Sequence, residues 1–131
     1  MQEVLDANVV LKWWAPDEEG AERARNFRIA RAAGWIEIVV PRVFSLEVLN
    51  IAGRKWRWAA GDLATLGARL DEPAFTYRDP SSSHVARWVA AGLTAYDASY
   101  VALAESIGRR VVTTDRQMLR VAPDLTTPLV P

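Results

Sequence analysis

The sequence predicts an α/β domain with a central parallel sheet, and three features of the chain support this prediction. Short β-branched runs alternate with longer segments of helical apolar spacing, a pattern typical of parallel strands connected by helices that cover both faces. Gly34, Gly92 and Gly108 follow helical segments, where glycine commonly ends a helix. The chain has 131 residues, 50% of them hydrophobic, so we expect one core and a single domain over residues 1–131.

Proline, glycine and acidic residues divide the first half of the chain. The strand at its start is expected to end at Asp6, and Pro16 closes the short helix that follows. Acids at positions 17–19 favour the start of a helix, because its amino-terminal end carries partial positive charge. The predicted elements are a strand at 3–5, a helix at 8–14, a helix from about 17 to Gly34, a strand at 36–40 and a helix from 43 to about 58.

The second half contains the clearest helix signal. Thr94 can cap a helix in which Tyr96, Tyr100, Leu103 and Ile107 recur at helical spacing. The predicted elements are a helix at 62–70, a weak strand at 74–77, a helix at 84–91 after a serine cluster, a helix from 94 to Gly108, a buried strand at 111–113 leading to Asp115, and a last edge strand at 129–130.

Composition excludes several classes of function. Sixteen basic and sixteen acidic residues balance, so any contact with nucleic acid must be local. The absence of cysteine and the single histidine exclude thiol chemistry and ordinary zinc sites. The sequence has no phosphate-binding Gly-Lys-Ser/Thr loop, and His84 lies too close in sequence to its serines and Asp79 for a hydrolase triad. No apolar run reaches the about 18 residues of a membrane span, so we expect a soluble cytoplasmic protein with no membrane partner.

Carboxylates stand at positions where a parallel sheet would gather them. Ligands of such sheets bind beyond the carboxyl ends of the strands, where the strand order reverses, and Asp6 and Asp115 each follow a predicted strand. If those strands are neighbours, the two acids face one crevice. Asp97 lies in the first turn of the preceding helix, and Glu47 has no cationic residue three or four positions away. Crowded carboxylates tolerate one another when a hard divalent cation lies between them, which suggests Mg²⁺ or Mn²⁺.

Each acid also has a purely structural explanation, which the sequence leaves open. Asp97 stands three residues after Thr94, the spacing of a capping box. Asp6 and Asp115 could cap the turns after their strands, and Glu47 could be a solvated helix residue.

Four motifs together resemble the PIN-domain family, in order along the whole chain. They are Val-Leu-Asp6-Ala-Asn-Val, Phe-Ser-Leu-Glu47-Val-Leu-Asn, Leu-Thr-Ala-Tyr-Asp97-Ala-Ser-Tyr-Val-Ala-Leu-Ala-Glu and Val-Val-Thr-Thr-Asp115-Arg. The stretch around Asp97 is the most specific. Within the family, the chain resembles the VapC-type toxins, the ribonuclease half of toxin/antitoxin pairs.

The resemblance implies a three-layer α/β/α fold and a metal-dependent endoribonuclease. Asp6, Glu47, Asp97 and Asp115 would be the catalytic and metal-binding acids for Mg²⁺ or Mn²⁺, with Thr113 as a further site residue and Asn8 as a neighbouring polar group. RNA would be the substrate, and the partners would be an antitoxin protein and a second copy in a homodimer. Family members often carry another acid or Asn shortly after the last Asp, whereas Arg116-Gln117-Met118 follows here, which leaves the number of metal ions open.

The segment Arg54-Lys55-Trp56-Arg57-Trp58 combines aromatic rings with positive charge and allows three interpretations. It could stack RNA bases while holding phosphates. Its tryptophans could instead be half buried against the next helix, with the arginines in solvent. The similarity to the toxins suggests a third interpretation, in which apolar residues of these helices form a groove for an antitoxin segment or a homodimer face. The arginines at 23, 25, 28 and 31 are expected to form a solvated helix face.

Two functions compete with RNA cleavage. A receiver-like signalling domain also binds Mg²⁺ with acids at strand ends, but Asp6 lacks the adjacent acid expected there and Glu47 would have no role. A PIN-fold protein that binds a partner without cleaving it is the other alternative. The presence of all four acids argues against that loss of activity.

Overall fold

The computed structural model describes residues 1–130, in which five parallel strands form one sheet in the order β3-β2-β1-β4-β5. The strands are β1 (Gln2–Leu5), β2 (Glu37–Val40), β3 (Thr76–Tyr77), β4 (Val111–Thr113) and β5 (Thr126–Pro128). They are short and rich in β-branched residues, and the middle three are largely buried, as expected when helices cover a parallel sheet.

Seven α-helices lie in the same span, along with three short helical segments of other types. The α-helices are α1 (Ala7–Val10), α2 (Ala21–Ala32), α3 (Val43–Asn50), α4 (Ala60–Asp71), α5 (Ser82–Ala90), α6 (Ala95–Ser106) and α7 (Arg116–Val121). The others are 3₁₀ turns at Leu11–Trp14 and Pro123–Leu125 and a π-helix at Ile51–Lys55 that continues α3. The alternation of strand and helix gives the predicted three-layer α/β/α architecture.

The strand order reverses between β1 and β4. Val4 pairs with Val111 and Leu5 with Val112, while β2 and β3 lie on the other side of β1 and β5 lies beyond β4. The expected adjacency of the first strand and the strand before Asp115 is therefore confirmed. A ligand crevice of an open parallel sheet opens at this reversal.

The core forms where helices cover the central strands. The fully buried side chains Phe44 of α3 and Tyr100 of α6 are the largest in it, and α6 contacts both β1 and β4. Both α3 and α6 begin near the carboxyl edge of the sheet, and side chains from their first two turns lie near the strand reversal.

Several elements differ from prediction. The last strand is Thr126–Pro128 rather than residues 129–130. The helix α7 was not predicted, because a helix of six residues gives little periodic signal. The second helix begins only at Ala21, because Gly20 adopts a left-handed φ of 83° before it. Tyr96, counted among the apolar positions of its helix, is 62% exposed.

The part of the chain that the structure describes includes no helix that is both long and apolar enough to span a lipid bilayer.

Candidate active site

Four acids from four separate elements line one cleft at the carboxyl edge of the sheet. Asp6 follows β1, Asp115 follows β4, Glu47 lies on α3 and Asp97 lies in the first turn of α6. The cleft has a volume of about 280 Å³ and is called the acidic cleft below. The structure brings all four acids of the sequence analysis to one place, although positions 6 and 97 are far apart in sequence.

Asp6 is the most deeply buried of these acids, with 4% of its surface exposed. Its Oδ2 accepts hydrogen bonds from Thr113 Oγ1 at 2.7 Å and from Asn8 Nδ2 at 3.1 Å. Burial raises the pKa of Asp6 to about 7, the Thr113 hydrogen bond opposes this shift, and the charges of Glu47 and Asp97 add to it. A carboxyl group in this position is easily protonated unless positive charge lies nearby.

Thr113 connects two of the acids through one hydroxyl group. While it donates to Asp6, its Oγ1 accepts the backbone N–H of Asp115 at 2.9 Å. Asn8 makes a second connection, because its Oδ1 accepts the N–H of Thr114 at 3.3 Å. The loops after β1 and β4 are thus held together by side chains of both.

Glu47 is held by a residue that the sequence analysis treated only as an apolar position. The hydroxyl of Tyr100 donates to Glu47 Oε1 at 2.7 Å. Burial and the charge of Asp97 raise the pKa of Glu47, while the Tyr100 hydrogen bond lowers it. Burial next to Asp6 and Glu47 also raises the pKa of the Tyr100 phenol well above its usual range, so the phenol remains a hydrogen-bond donor. A buried tyrosine three positions after Asp97, on the face of α6 that meets the sheet, is the only signal the sequence offers.

The structural explanations for Asp97 and Asp115 hold in part. Thr94 caps α6 by accepting the backbone N–H of Asp97 at 3.1 Å, and Asp115 caps α7 by accepting the N–H of Met118 at 2.9 Å. The Asp6 side chain makes no such capping bond to α1. Burial and the charge of Asp115 raise the pKa of Asp97.

The chemistry of the cleft is that of oxygen donors. Carboxylates of Asp6, Glu47, Asp97 and Asp115 are the ligand type that hard divalent cations prefer. Within residues 1–130, no three histidine or acidic side chains lie close enough together to hold one ion as they stand. Because Glu47, Asp97 and Asp115 are only half buried, their side chains have room to change rotamer around the cleft.

The residues of the basic and aromatic segment at 54–58 lie in two different environments. Trp58 is half buried and meets Trp14 edge to face, with ring centroids 6.2 Å apart, as expected for packing. Lys55 and Trp56, by contrast, line the acidic cleft. The sequence pattern includes both residues but does not distinguish them from Arg54, Arg57 and Trp58, which do not line the cleft.

Of the four arginines expected to form a solvated face of α2, Arg23, Arg25 and Arg28 are exposed as predicted, and Arg31 is half buried. Arg23 donates to the carbonyl of Leu129, Arg31 donates to the carbonyls of Pro73 and Ala74, and the Arg28 guanidinium lies 5.7 Å from the Trp13 ring centroid. These three arginines thus also contact residues outside α2.

His84 lies near the start of α5, as expected, and its Nε2 lies 2.5 Å from Glu105 Oε1 on α6. Hydrogen bonding to His84 lowers the pKa of Glu105. His84 is not among the residues that line the acidic cleft.

Comparison with known proteins agrees with this fold. The chain is 27% identical, over 143 aligned positions, to a Pyrobaculum aerophilum protein named Ribonuclease VapC3; the alignment covers 98% of this chain and 100% of that protein. A crystal structure of PAE2754 from Pyrobaculum aerophilum superposes with a TM-score of 0.68 at 26% identity, covering 98% of this chain and 90% of that one. The sequence profile of the PIN domain matches residues 4–123. The chain therefore belongs to the PIN domain family.

Proposed function

We propose that this protein is a metal-dependent endoribonuclease that hydrolyses RNA phosphodiesters, and that it acts as the toxin of a type II toxin/antitoxin pair. Asp6, Glu47, Asp97 and Asp115 would hold Mg²⁺ or Mn²⁺, and Thr113 would position Asp6. One observation carries the proposal: four carboxylates from four elements line a single cleft, and the negative charge of some raises the pKa of others.

The cost of this arrangement supports a cation site. Burying like charges together destabilises the ionised forms, and the pKa values of Asp6, Glu47 and Asp97 are all raised. A bound Mg²⁺ or Mn²⁺ would supply the compensating charge, act as a Lewis acid and lower the pKa of a coordinated water. The carboxylates fit such an ion by ligand type, and the half-buried side chains of Glu47, Asp97 and Asp115 would change rotamer to reach one ion together.

The protein's own groups then have distinct tasks. Thr113 and Asn8 fix the Asp6 carboxylate by two hydrogen bonds, and Tyr100 fixes that of Glu47, so that both keep one oxygen free. No side-chain nucleophile is required: the sequence has no cysteine, and His84 is hydrogen bonded to Glu105 away from the cleft. Hydrolysis would therefore use water held near the carboxylates.

The relative named Ribonuclease VapC3 supports both the activity and the toxin role, since it aligns over its entire length. An antitoxin protein and a second copy of the chain in a homodimer are the partners we propose with that role. Membership in the PIN domain family excludes the receiver-like alternative. The alternative of a PIN protein that binds a partner without cleaving RNA is distinguished by the cleavage experiment below.

The test is incubation of purified protein with total RNA in the presence of Mn²⁺ or Mg²⁺, with the cleavage ends mapped. We expect the wild type to cut at a few sites and to stop when a chelator is added. Asp97→Asn should fold normally, because Thr94 caps α6 through the backbone of Asp97, yet should lose cleavage. Asp124→Asn, an exposed change outside the cleft, should cleave like the wild type.

Two outcomes would contradict the proposal. Equal cleavage by Asp97→Asn and the wild type would remove Asp97 from the site. Failure of the wild type to cut any RNA with either ion would favour the non-cleaving PIN protein.

A further inference from the structure

We propose that Lys55 and Trp56 form a substrate-holding wall of the acidic cleft: Trp56 stacks on an unpaired base of single-stranded RNA, and Lys55 contacts the phosphate beside it. This inference rests on the proposed ribonuclease function and names the substrate class of the same site. It follows from the position of these two side chains: a cationic and an aromatic residue line the same cleft as the acids.

The backbone around these residues is irregular in a way that brings them to the cleft. The helix of α3 widens into a π-helix at Ile51–Lys55, a form that is rare and frequent at functional sites. The π-helix ends at Lys55, and two residues later Arg57 adopts a left-handed φ of 56°, a conformation that non-glycine residues seldom adopt. The N–H of Trp58 then donates to the carbonyl of Ala52 at 3.0 Å. This wide turn leaves Ile51, Lys55 and Trp56 all lining the cleft.

Trp58 supports the position of Trp56. The two rings are 5.7 Å apart between centroids, and Trp58 in turn meets the ring of Trp14. Trp56 is half buried and lines the acidic cleft. An aromatic ring fixed on one side is suited to stack on a base with little loss of freedom.

Lys55 is the only cationic side chain among the described residues that line the acidic cleft. It is exposed, and within residues 1–130 it takes part in no ion pair, although Asp6, Glu18, Glu47, Asp97 and Asp115 line the same cleft. A phosphodiester approaching those acids meets repulsion. The Lys55 ammonium group is placed to offset that repulsion and is not engaged elsewhere.

Single-stranded RNA fits this wall better than a duplex does. An aromatic side chain can stack only on a base that has left its own stack, and such contacts are typical of single-strand recognition. Among the described residues, the cleft is lined by one aromatic ring, that of Trp56, and one cation, that of Lys55. Together they can contact the base and the phosphate of one nucleotide. We therefore expect cleavage in unpaired regions of the RNA.

The test is steady-state cleavage of a fluorogenic single-stranded RNA by the full chain with saturating Mn²⁺. Trp56→Leu should raise KM between about five- and one-hundred-fold while kcat changes little, because stacking holds the substrate and takes no part in hydrolysis. Trp56→Phe should retain most of the affinity. Trp35→Ala, which removes an indole that is 71% exposed and not part of the cleft, should leave both constants unchanged.

The phosphate contact is tested by comparing Lys55→Ala with a control substitution at the neighbouring Arg54. Lys55→Ala should raise KM and reduce the dependence of KM on salt, whereas Arg54→Ala, its exposed neighbour outside the cleft, should do neither. Binding of a labelled RNA to the Asp97→Asn protein, followed by anisotropy, gives a readout independent of cleavage. Adding Lys55→Ala or Trp56→Leu to this protein should weaken RNA binding, whereas adding Trp56→Phe should change it little.

The results separate this inference from the function on which it rests. If the wild type cleaves no RNA, the proposed function fails. If it cleaves RNA while Trp56→Leu and Trp56→Phe share the wild-type KM, or both lose affinity equally, stacking by Trp56 is wrong. Equal cleavage of duplex and single strand would also overturn it.

Discussion

Thr113 and Asp6 are joined by a hydrogen bond of 2.7 Å from the threonine hydroxyl to the carboxylate, across the strand reversal between β1 and β4. The same hydroxyl accepts the backbone N–H of Asp115 at 2.9 Å. Because its proton is donated to Asp6, its lone pair is available to the Asp115 backbone. One small side chain thus sets the position of two acids of the cleft.

Thr113→Val should impair the site more than the fold. The change removes the hydrogen bond that lowers the pKa of Asp6, so protons compete better with a metal ion at that carboxylate. We expect the apparent affinity for Mn²⁺, measured by titrating RNA cleavage, to fall by about 10- to 100-fold. Thr113→Ser should restore most of it.

Thr126→Val is the matched control for Thr113→Val. Thr126 is also a buried threonine, in β5, and its hydroxyl donates to the carbonyl of Ala122 at 2.8 Å. Its loss should cost about 1 kcal/mol of stability and leave the metal requirement unchanged. Similar metal titrations for the two valine variants would show that Thr113 has only a structural role.

Asp6→Asn should make the metal-free protein more stable at pH 8. The pKa of Asp6 rises from 3.8 to about 7 on folding, so the folded state favours the protonated acid. That contribution is complete below about pH 3.8 and is lost as the pH rises through 7. The gain from Asn should therefore be absent near pH 4 and grow toward pH 8, up to the order of 4 kcal/mol. Urea unfolding in EDTA at several pH values measures it.

Asp124→Asn serves as the reference for that experiment. It removes one exposed carboxylate outside the acidic cleft and should leave the pH dependence of unfolding as in the wild type. A constant difference between Asp6→Asn and the wild type from pH 4 to 8 would contradict the raised pKa of Asp6. In either case Asp6→Asn should lose RNA cleavage.

Gly20→Ala should destabilise the fold by two separable effects. Gly20 has a φ of 83°, and an added Cβ would lie 2.9 Å from Val130 Cγ2 and 3.0 Å from Leu129 Cδ2. Gly34 has a similar φ of 79° with nothing within 4 Å, so Gly34→Ala tests the backbone strain alone, about 1 kcal/mol. We expect Gly20→Ala to cost about 1–3 kcal/mol more, because the added Cβ displaces the side chains of Leu129 and Val130. Equal losses in thermal unfolding would mean that residues 129–130 move aside freely.

The convergence of the acids could be predicted from sequence because it depends on local signals. A β-branched run followed by an acid marks the carboxyl end of a strand, and all carboxyl ends of parallel strands meet at one edge. Asp6 and Asp115 follow this rule directly. The Thr94 cap, also a local signal, placed Asp97 in the first turn of α6.

The contacts that support those acids could not be predicted, because they join residues far apart in sequence. Tyr100 and Glu47 are 53 positions apart, and Tyr100 occupies a place in the apolar spacing that any buried residue could fill. The roles of Lys55 and Trp56 depend on a π-helix and on the left-handed Arg57, neither of which has a sequence pattern. The short β5 was misplaced for a similar reason, since its pairing with β4 decides its bounds.

Tyr100→Phe should weaken metal binding through Glu47 without loss of the core. The ring is fully buried and stays in place, but the hydroxyl that donates to Glu47 at 2.7 Å is removed, so the pKa of Glu47 rises further and the carboxylate loses its orientation. We expect the thermal stabilisation by Mn²⁺ to require about 10- to 100-fold more metal. Tyr77→Phe removes an equally short hydrogen bond, to the carbonyl of Leu70, outside the acidic cleft. If Tyr77→Phe shifted the Mn²⁺ titration as much as Tyr100→Phe, the effect would arise from general destabilisation and Tyr100 would have no role at the site.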